Sequence, residues 1–227
     1  MDVFQERGEK YPNIYDIPYY NMIKKYLRFV GLDPHQKNGF MIVIIMVISM
    51  TSVFIPMLIA LYESLYTKNM DVMLECLPHI AAIVTSFVKI MNVYLNRKNF
   101  RKLFDSITKE WEQLKLSHDL YILEEVTIRG SKMAKLYRNT LLTFMVLFLF
   151  VPLISPMMDI LLPLNETRPR QQLLNVNYVF FDSHNYFFYV YLQLSWVSVV
   201  VSISIVTVDS LLMLIVHHNS GLFIVCG

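Results

Sequence analysis

Phe40–Tyr62 reads FMIVIIMVISMTSVFIPMLIALY, 23 consecutive residues without a charged side chain. A helix rises about 1.5 Å per residue, so about 20 mainly apolar residues cross the roughly 30 Å hydrocarbon core of a bilayer. This stretch is long enough, whereas a barrel strand needs only about 10 alternating residues. Working outward from it, three further segments pass the same test, which places spans at about 39–65, 72–95, 136–162 and 186–216. The expected fold class is all-α, a multi-pass transmembrane helical bundle. Pro56, Pro78, Pro152 and Pro156 fall inside these spans, where neighbouring helices satisfy the freed carbonyls and a kink is expected.

The composition agrees with lipid as solvent. Over 227 residues the chain is 55% hydrophobic, with mean hydropathy +0.44. A water-soluble domain of this size could not bury that proportion of apolar side chains. A net charge of +2, with no phosphate-cradling glycine loop, gives no sign of nucleic acid as a partner. The partner implied by composition is the lipid bilayer. Cys76 and Cys226 fall near opposite membrane faces, so a disulfide between them is not expected.

Orientation follows from the Lys and Arg count, because positive charge is retained on the cytoplasmic side. The amino-terminal segment carries Arg7, Lys10, Lys24, Lys25, Arg28 and Lys37, and the second loop with the start of span three carries ten more, from Arg97 to Arg138. The first loop has only Lys68, and the third only Arg168 and Arg170. That is 16 against 3, with Lys89 inside span two, and it predicts a cytoplasmic amino terminus. The sequon Asn165-Glu166-Thr167 then falls in an extracellular loop, 163–185, which makes Asn165 a candidate glycosylation site.

Pro18–Val30 is expected to form a short amphipathic helix on the inner leaflet, with proline at its first position and Gly31 as its stop. After span two, Phe100, Leu103, Phe104, Ile107, Trp111 and Leu114 recur at helical spacing amid charges, so a cytoplasmic helical extension is expected over 96–135.

Two charges lie within spans, where they are costly. Lys89 and Asp209 are each about 10–12 Å from the cytoplasmic end of their helix. Either Lys89 snorkels to the headgroups while Asp209 meets water or a backbone donor, or the two form an intramembrane ion pair. Ser195, Ser198, Ser202 and Asp209 make one polar stripe on span four, read either as close helix packing or as the wall of a water-lined cavity. The amino-terminal end of that span is dense in rings: Tyr178, Phe180, Phe181, Tyr186, Phe187, Phe188, Tyr189 and Tyr191. They form either an interfacial belt or one wall of an apolar ligand pocket. In the pocket reading the lining is Tyr189, Gln193 and Trp196 from span four, His79 and Ile83 from span two, and Val151, Ser155 and Met158 from span three. No metal is expected at His217-His218, no cofactor is implied, and no nucleophile, base and orienting group stand at catalytic spacing. An enzyme is not expected.

Several motifs resemble the insect odorant receptors, in particular the branch expanded in ants, bees and wasps. Asn21-Met22-Ile23 through Gly31-Leu32-Asp33-Pro34 is similar to the family's pre-span helix ending in Gly-Leu-Trp-Pro, with Asp33 in place of the usual Trp. Lys89 followed by NRKNFRKLF and Glu110-Trp111 is similar to its second span and extension. Residues 164–170, Asn177-Tyr178, Phe181-Asp182 and Tyr186–Tyr189 resemble its outer loop and fourth span. Asp209 and His218–Phe223 resemble the motif closing that span, with Ser220 where Cys is common. The resemblance implies a seven-helix protein with a cytoplasmic amino terminus, of which four spans are present. It further implies an olfactory receptor that binds small volatile odorants among its spans in the plasma membrane of olfactory neuron dendrites. With an odorant co-receptor subunit it would form a hetero-tetramer that gates a cation channel through a pore lined by the seventh span. The sequence ends at Gly227 in a hydrophobic stretch, and an amino-terminal fragment is the expected reading. Two alternatives stay open: a gustatory-type ligand-gated subunit, separable by a pore-helix motif downstream, and a transporter subunit. The latter predicts inverted repeats and Gly-broken helices, and the chain has only six glycines, none central in a span.

Overall fold

The computed structural model describes residues 15, 17, 19–114, 117, 119–162, 168, 172–179 and 186–226. Among them the regular structure is helical throughout. The helices are α1 (Asn21–Val30), α2 (Gly39–Thr67), α3 (Met70–Leu95), α4 (Arg97–Leu114), α5 (Leu120–Phe150), α6 (Ile154–Leu161) and α7 (Phe187–Cys226), with a 3-10 turn at Val151–Leu153 between α5 and α6.

Four of these segments are long and apolar enough to span a membrane: α2, α3, α5 together with α6, and α7. Large apolar side chains such as Ile48, Leu147 and Ile160 stand exposed on them. In the most apolar window of α5–α6 only 6% of residues are buried, against 44% in α7. In water such surfaces would aggregate; in a bilayer they face acyl chains. The chain is therefore a multi-pass membrane protein.

Three boundaries differ from expectation, and one proline expected to kink its span marks a 3-10 turn. Helix α1 starts at Asn21, after a turn at Tyr19–Tyr20, with Pro18 outside the described residues, and its apolar face is spent on the protein, since Ile23, Leu27 and Val30 are buried. The expected 96–135 extension is two elements, because α4 ends at Leu114 and α5 begins at Leu120, well before the third span's apolar run. At the far end of that run, Val151-Pro152-Leu153 tightens into the 3-10 turn, because proline removes a backbone donor and cannot continue the α ladder. Finally, α7 runs on to Cys226, ten residues past the expected end.

The described residues form two units. The first comprises 1–43, 90–139 and 206–227, and the second 44–89 and 140–205. In the first, α1 stops at Gly31, whose φ of 75° lets Leu32 N–H bond Leu27 O at 2.8 Å and Gly31 N–H bond Arg28 O at 3.2 Å. The next turn is organised by Asp33, which is fully buried. Its carboxylate accepts bonds from the Tyr15 hydroxyl, Arg28 Nε and the His35 backbone N–H, each at 3.1 Å. Burial alone would push this carboxyl up, but the three donors and the Arg28 charge outweigh it and hold it below the ordinary aspartate range. Arg97, at the start of α4, donates to the carbonyls of Asp33, Pro34 and Gln36. One guanidinium thus fastens the α1–α2 connection to the α3–α4 junction.

Candidate functional site

In the second unit, contacts between side chains define which helices are neighbours. Gln193 and Trp196 of α7 donate to Ser52 and Ser49 of α2, at 3.1 and 3.2 Å. Gln193 also accepts a 3.0 Å bond from the Tyr178 hydroxyl, in the stretch before α7. Burial pushes the Tyr178 phenol above its usual range, so it remains a neutral donor. Tyr191 of α7 donates to Leu149 O at the end of α5. His79 of α3 stacks on Phe148 of α5, with ring centroids 5.6 Å apart, and its Nδ1 engages Glu75 O in its own helix.

Between α2 and α3 lies a cavity of about 290 Å³ lined by Met50, Thr51, Phe54, Ile83, Val84 and Phe87. Thr51 spends its hydroxyl on Val47 O, so the walls offer a ligand almost nothing but apolar surface. The volume suits a molecule of about ten heavy atoms, at the small end of ligand sites. At 100° per residue, Ser49 and Ser52 point to the opposite side of α2 from Met50, Thr51 and Phe54. Helix α2 thus presents one face to α7 and the other to the cavity.

Of the eight residues named from sequence, Ile83 is buried and lines this cavity, while Gln193 and Trp196 meet the other face of α2. Tyr189 is 76% exposed, and Val151 and Met158 are also exposed, on the 3-10 turn and α6. Ser155 is half-buried on α6. The α2 wall was missed because its residues look like ordinary span. The available signal was the cluster of hydroxyls at Ser49, Thr51 and Ser52 in an otherwise apolar run. Asn165, Phe180 and Phe181 lie outside the described residues.

At the far end of this unit, Asn175 and Asn177 tie the segment before α7 to α2 and α3. Asn177 Nδ2 donates to Glu63 at 2.7 Å, and its N–H to Pro56 O at 3.3 Å. The Asn175 backbone and side-chain amides both donate to Glu75. Pro56 has no N–H, which frees the Ser52 carbonyl one turn back, whereas the Asn177 amide bonds the carbonyl of Pro56 itself.

The first unit holds the polar residues of the lower part of α7. The Tyr137 hydroxyl of α5 donates to Asp209 at 2.7 Å. Lys89, the last residue of the second unit's α3 segment, is half-buried. His218 is fully buried, bonded through Nε2 to Glu110 of α4 at 2.8 Å and stacked on Trp111. His217 engages Met213 O of its own helix and lies against Gly130 of α5. The two histidines therefore serve different contacts. No carboxylate stood near His218 in the sequence, and Glu110 reaches it only through the packing of α4 on α7.

Compared with known families, residues 69–226 match the model of the 7tm odorant receptors, more than two thirds of the chain. The chain belongs to the odorant receptor family. The match takes in three of the four spans and the α4 extension, and it is a family of receptors rather than enzymes. No curated protein and no solved structure matches the chain.

Proposed function

We propose that this odorant receptor binds small volatile molecules within its helical bundle and, with a co-receptor subunit in a hetero-tetramer, gates a cation channel. The observation that carries this reading is the family match across residues 69–226. Support for the ligand step comes from the α2–α3 cavity, whose lining Ile83 shares, while Gln193 and Trp196 bond the opposite face of α2 and are proposed to act on the cavity through that helix. His79, Val151, Ser155, Met158 and Tyr189 are proposed as further contacts. By resemblance, the pore would be lined by the family's seventh span.

The orientation we infer has the amino terminus in the cytoplasm of a plasma-membrane receptor of hymenopteran type, and Asn165 outside as a glycan acceptor. It is supported by 16 of the 20 Lys and Arg lying in the first unit.

Voltage-clamp recording from cells expressing the full-length receptor with its co-receptor tests the reading. Volatile ligands should evoke cation current. Ile83→Trp, which fills the cavity, and Trp196→Ala should shift the odorant dose-response while leaving the co-receptor agonist response intact. Unchanged odorant curves for both variants would remove these positions from the ligand site; substrate flux without ligand-evoked current would favour a transporter.

A further inference from the structure

The inner ends of α2 and α3 meet in the first unit, where Phe40 and Tyr94 stack with ring centroids 6.2 Å apart. Around this stack the surface is apolar: Phe40, Met41 and Leu95 are 57%, 64% and 73% exposed. Immediately beyond it the surface becomes cationic. Lys37 precedes Phe40 by three residues, and Lys98, Arg101 and Lys102 follow Leu95; all four are exposed. The Arg97 bond to Gln36 O brings Lys37 and Lys98 to the same corner, because each is the chain neighbour of one partner. Arg97 itself is committed to backbone carbonyls and is not available to a ligand.

These four cations have no ion-pair partner among the described residues. Like charges three and four apart on a helix repel. The first turn of α4 contains no acid, and Asp105, one turn beyond Arg101, pairs with none of them. At about 1.5 Å per residue Lys98 stands about 5 Å, and Arg101 about 9 Å, past the last apolar residue of α3. A headgroup layer is about 5–8 Å deep on each side of the hydrocarbon core, so Lys98 falls at phosphate depth and the long Arg101 side chain can reach back to it.

We propose that this corner is a binding site for an anionic phospholipid with a multiply charged, phosphoinositide-type headgroup. Its phosphates contact Lys37, Lys98, Arg101 and Lys102, and its acyl chain lies along Phe40, Met41 and Leu95. Four uncompensated cations call for more than the single charge of a phosphodiester. The adjacent apolar ledge favours a lipid over a free anion. Such a lipid would fix the α2–α3 corner relative to the membrane surface, independently of any odorant.

The test uses the purified full-length chain in neutral detergent, with binding of short-chain phosphatidylinositol bisphosphate followed by native mass spectrometry. Phosphatidylcholine and soluble inositol trisphosphate run as comparisons. Wild type should bind the bisphosphate lipid well above both. The variant K98Q/R101Q/K102Q should bind it about a hundredfold more weakly, at about fivefold per cation. The variant K132Q/K135Q, altered at exposed cations of α5, should bind as wild type does. If the triple variant loses helicity, Lys98→Gln and Arg101→Gln singly should each weaken binding about fivefold. Equal losses in K132Q/K135Q would reduce the site to a diffuse basic surface. Inositol trisphosphate binding as tightly as the lipid would make it a free-anion site. No preference over phosphatidylcholine would remove it altogether.

Discussion

Gly130→Ala sets two physical effects against each other. In a helix interior, alanine is favoured over glycine by about 1 kcal/mol because glycine loses more backbone entropy on folding. Propensity alone therefore predicts a stabler protein. The structure predicts the reverse. A Cβ at Gly130 would lie 2.6 Å from His217 Cβ and 2.5 Å from His217 Cγ, while ordinary contact begins near 3.4 Å. The shortfall is about 0.8 Å, and His217 Cβ cannot rotate out of the way, so α5 and α7 must separate. Overpacking of this kind costs about 1–3 kcal/mol. We expect a net loss of about 1 kcal/mol, which lowers the melting temperature by about 2–4 °C in a chain of this size. The chain has two tryptophans, and Trp111 is buried against His218, the neighbour of His217. In a Trp196→Phe background, Trp111 emission reports this unit alone. His217→Ala should not rescue the loss, since its Cβ remains; His217→Gly should recover part of it. A melting temperature that rises in Gly130→Ala would refute the close α5–α7 approach.

Asp33→Asn should flatten the acid limb of stability. The folded carboxyl titrates below its unfolded value, so its stabilisation is complete above about pH 4 and is lost as pH falls through the lower folded value. Melts followed through Trp111 from neutral pH downward should therefore diverge less from the variant as acid is added. Tyr137→Phe removes the 2.7 Å donor to Asp209 and should cost about 1 kcal/mol, the typical net worth of a side-chain hydrogen bond. In a double-mutant cycle with Asp209→Asn the two losses should not add, and additive losses would dissociate the pair.

What could be read from the sequence depended on whether one residue carried its own signal. Span lengths did, because the bilayer imposes a fixed thickness and the apolar runs announce it. Gly31 as the stop of α1 did as well, since only glycine takes φ of 75° cheaply. The Pro152 bend was legible for the same reason. The break between α4 and α5 was not, because Phe100 to Leu114 keeps a helical period up to the boundary, and periodicity marks which face is buried, not where a helix ends. The site was less legible still. Tyr189, Gln193 and Trp196 share a helical stripe, but a stripe gives no partner. The hydroxyls of Ser49 and Ser52 receive Gln193 and Trp196, and in a span such hydroxyls ordinarily bond their own helix, as that of Ser49 also does with Ile45 O.

Asp33 shows the same limit from the other side. It departs from the resembled family's motif, which has a tryptophan at that position. A buried aspartate with no compensation would be untenable, so the departure itself predicts donors nearby. Arg28 was within reach of that prediction, five residues back in the same turn. Tyr15 was not, because it lies before α1, and the sequence gives no measure of how the chain folds back. Arg97, more than sixty residues away, could be placed only by the packing of α4 against the α1–α2 connection. With a carboxylate at this position, the turn is held by hydrogen bonds from Tyr15, Arg28 and His35. Its stability should therefore fall as acid protonates Asp33.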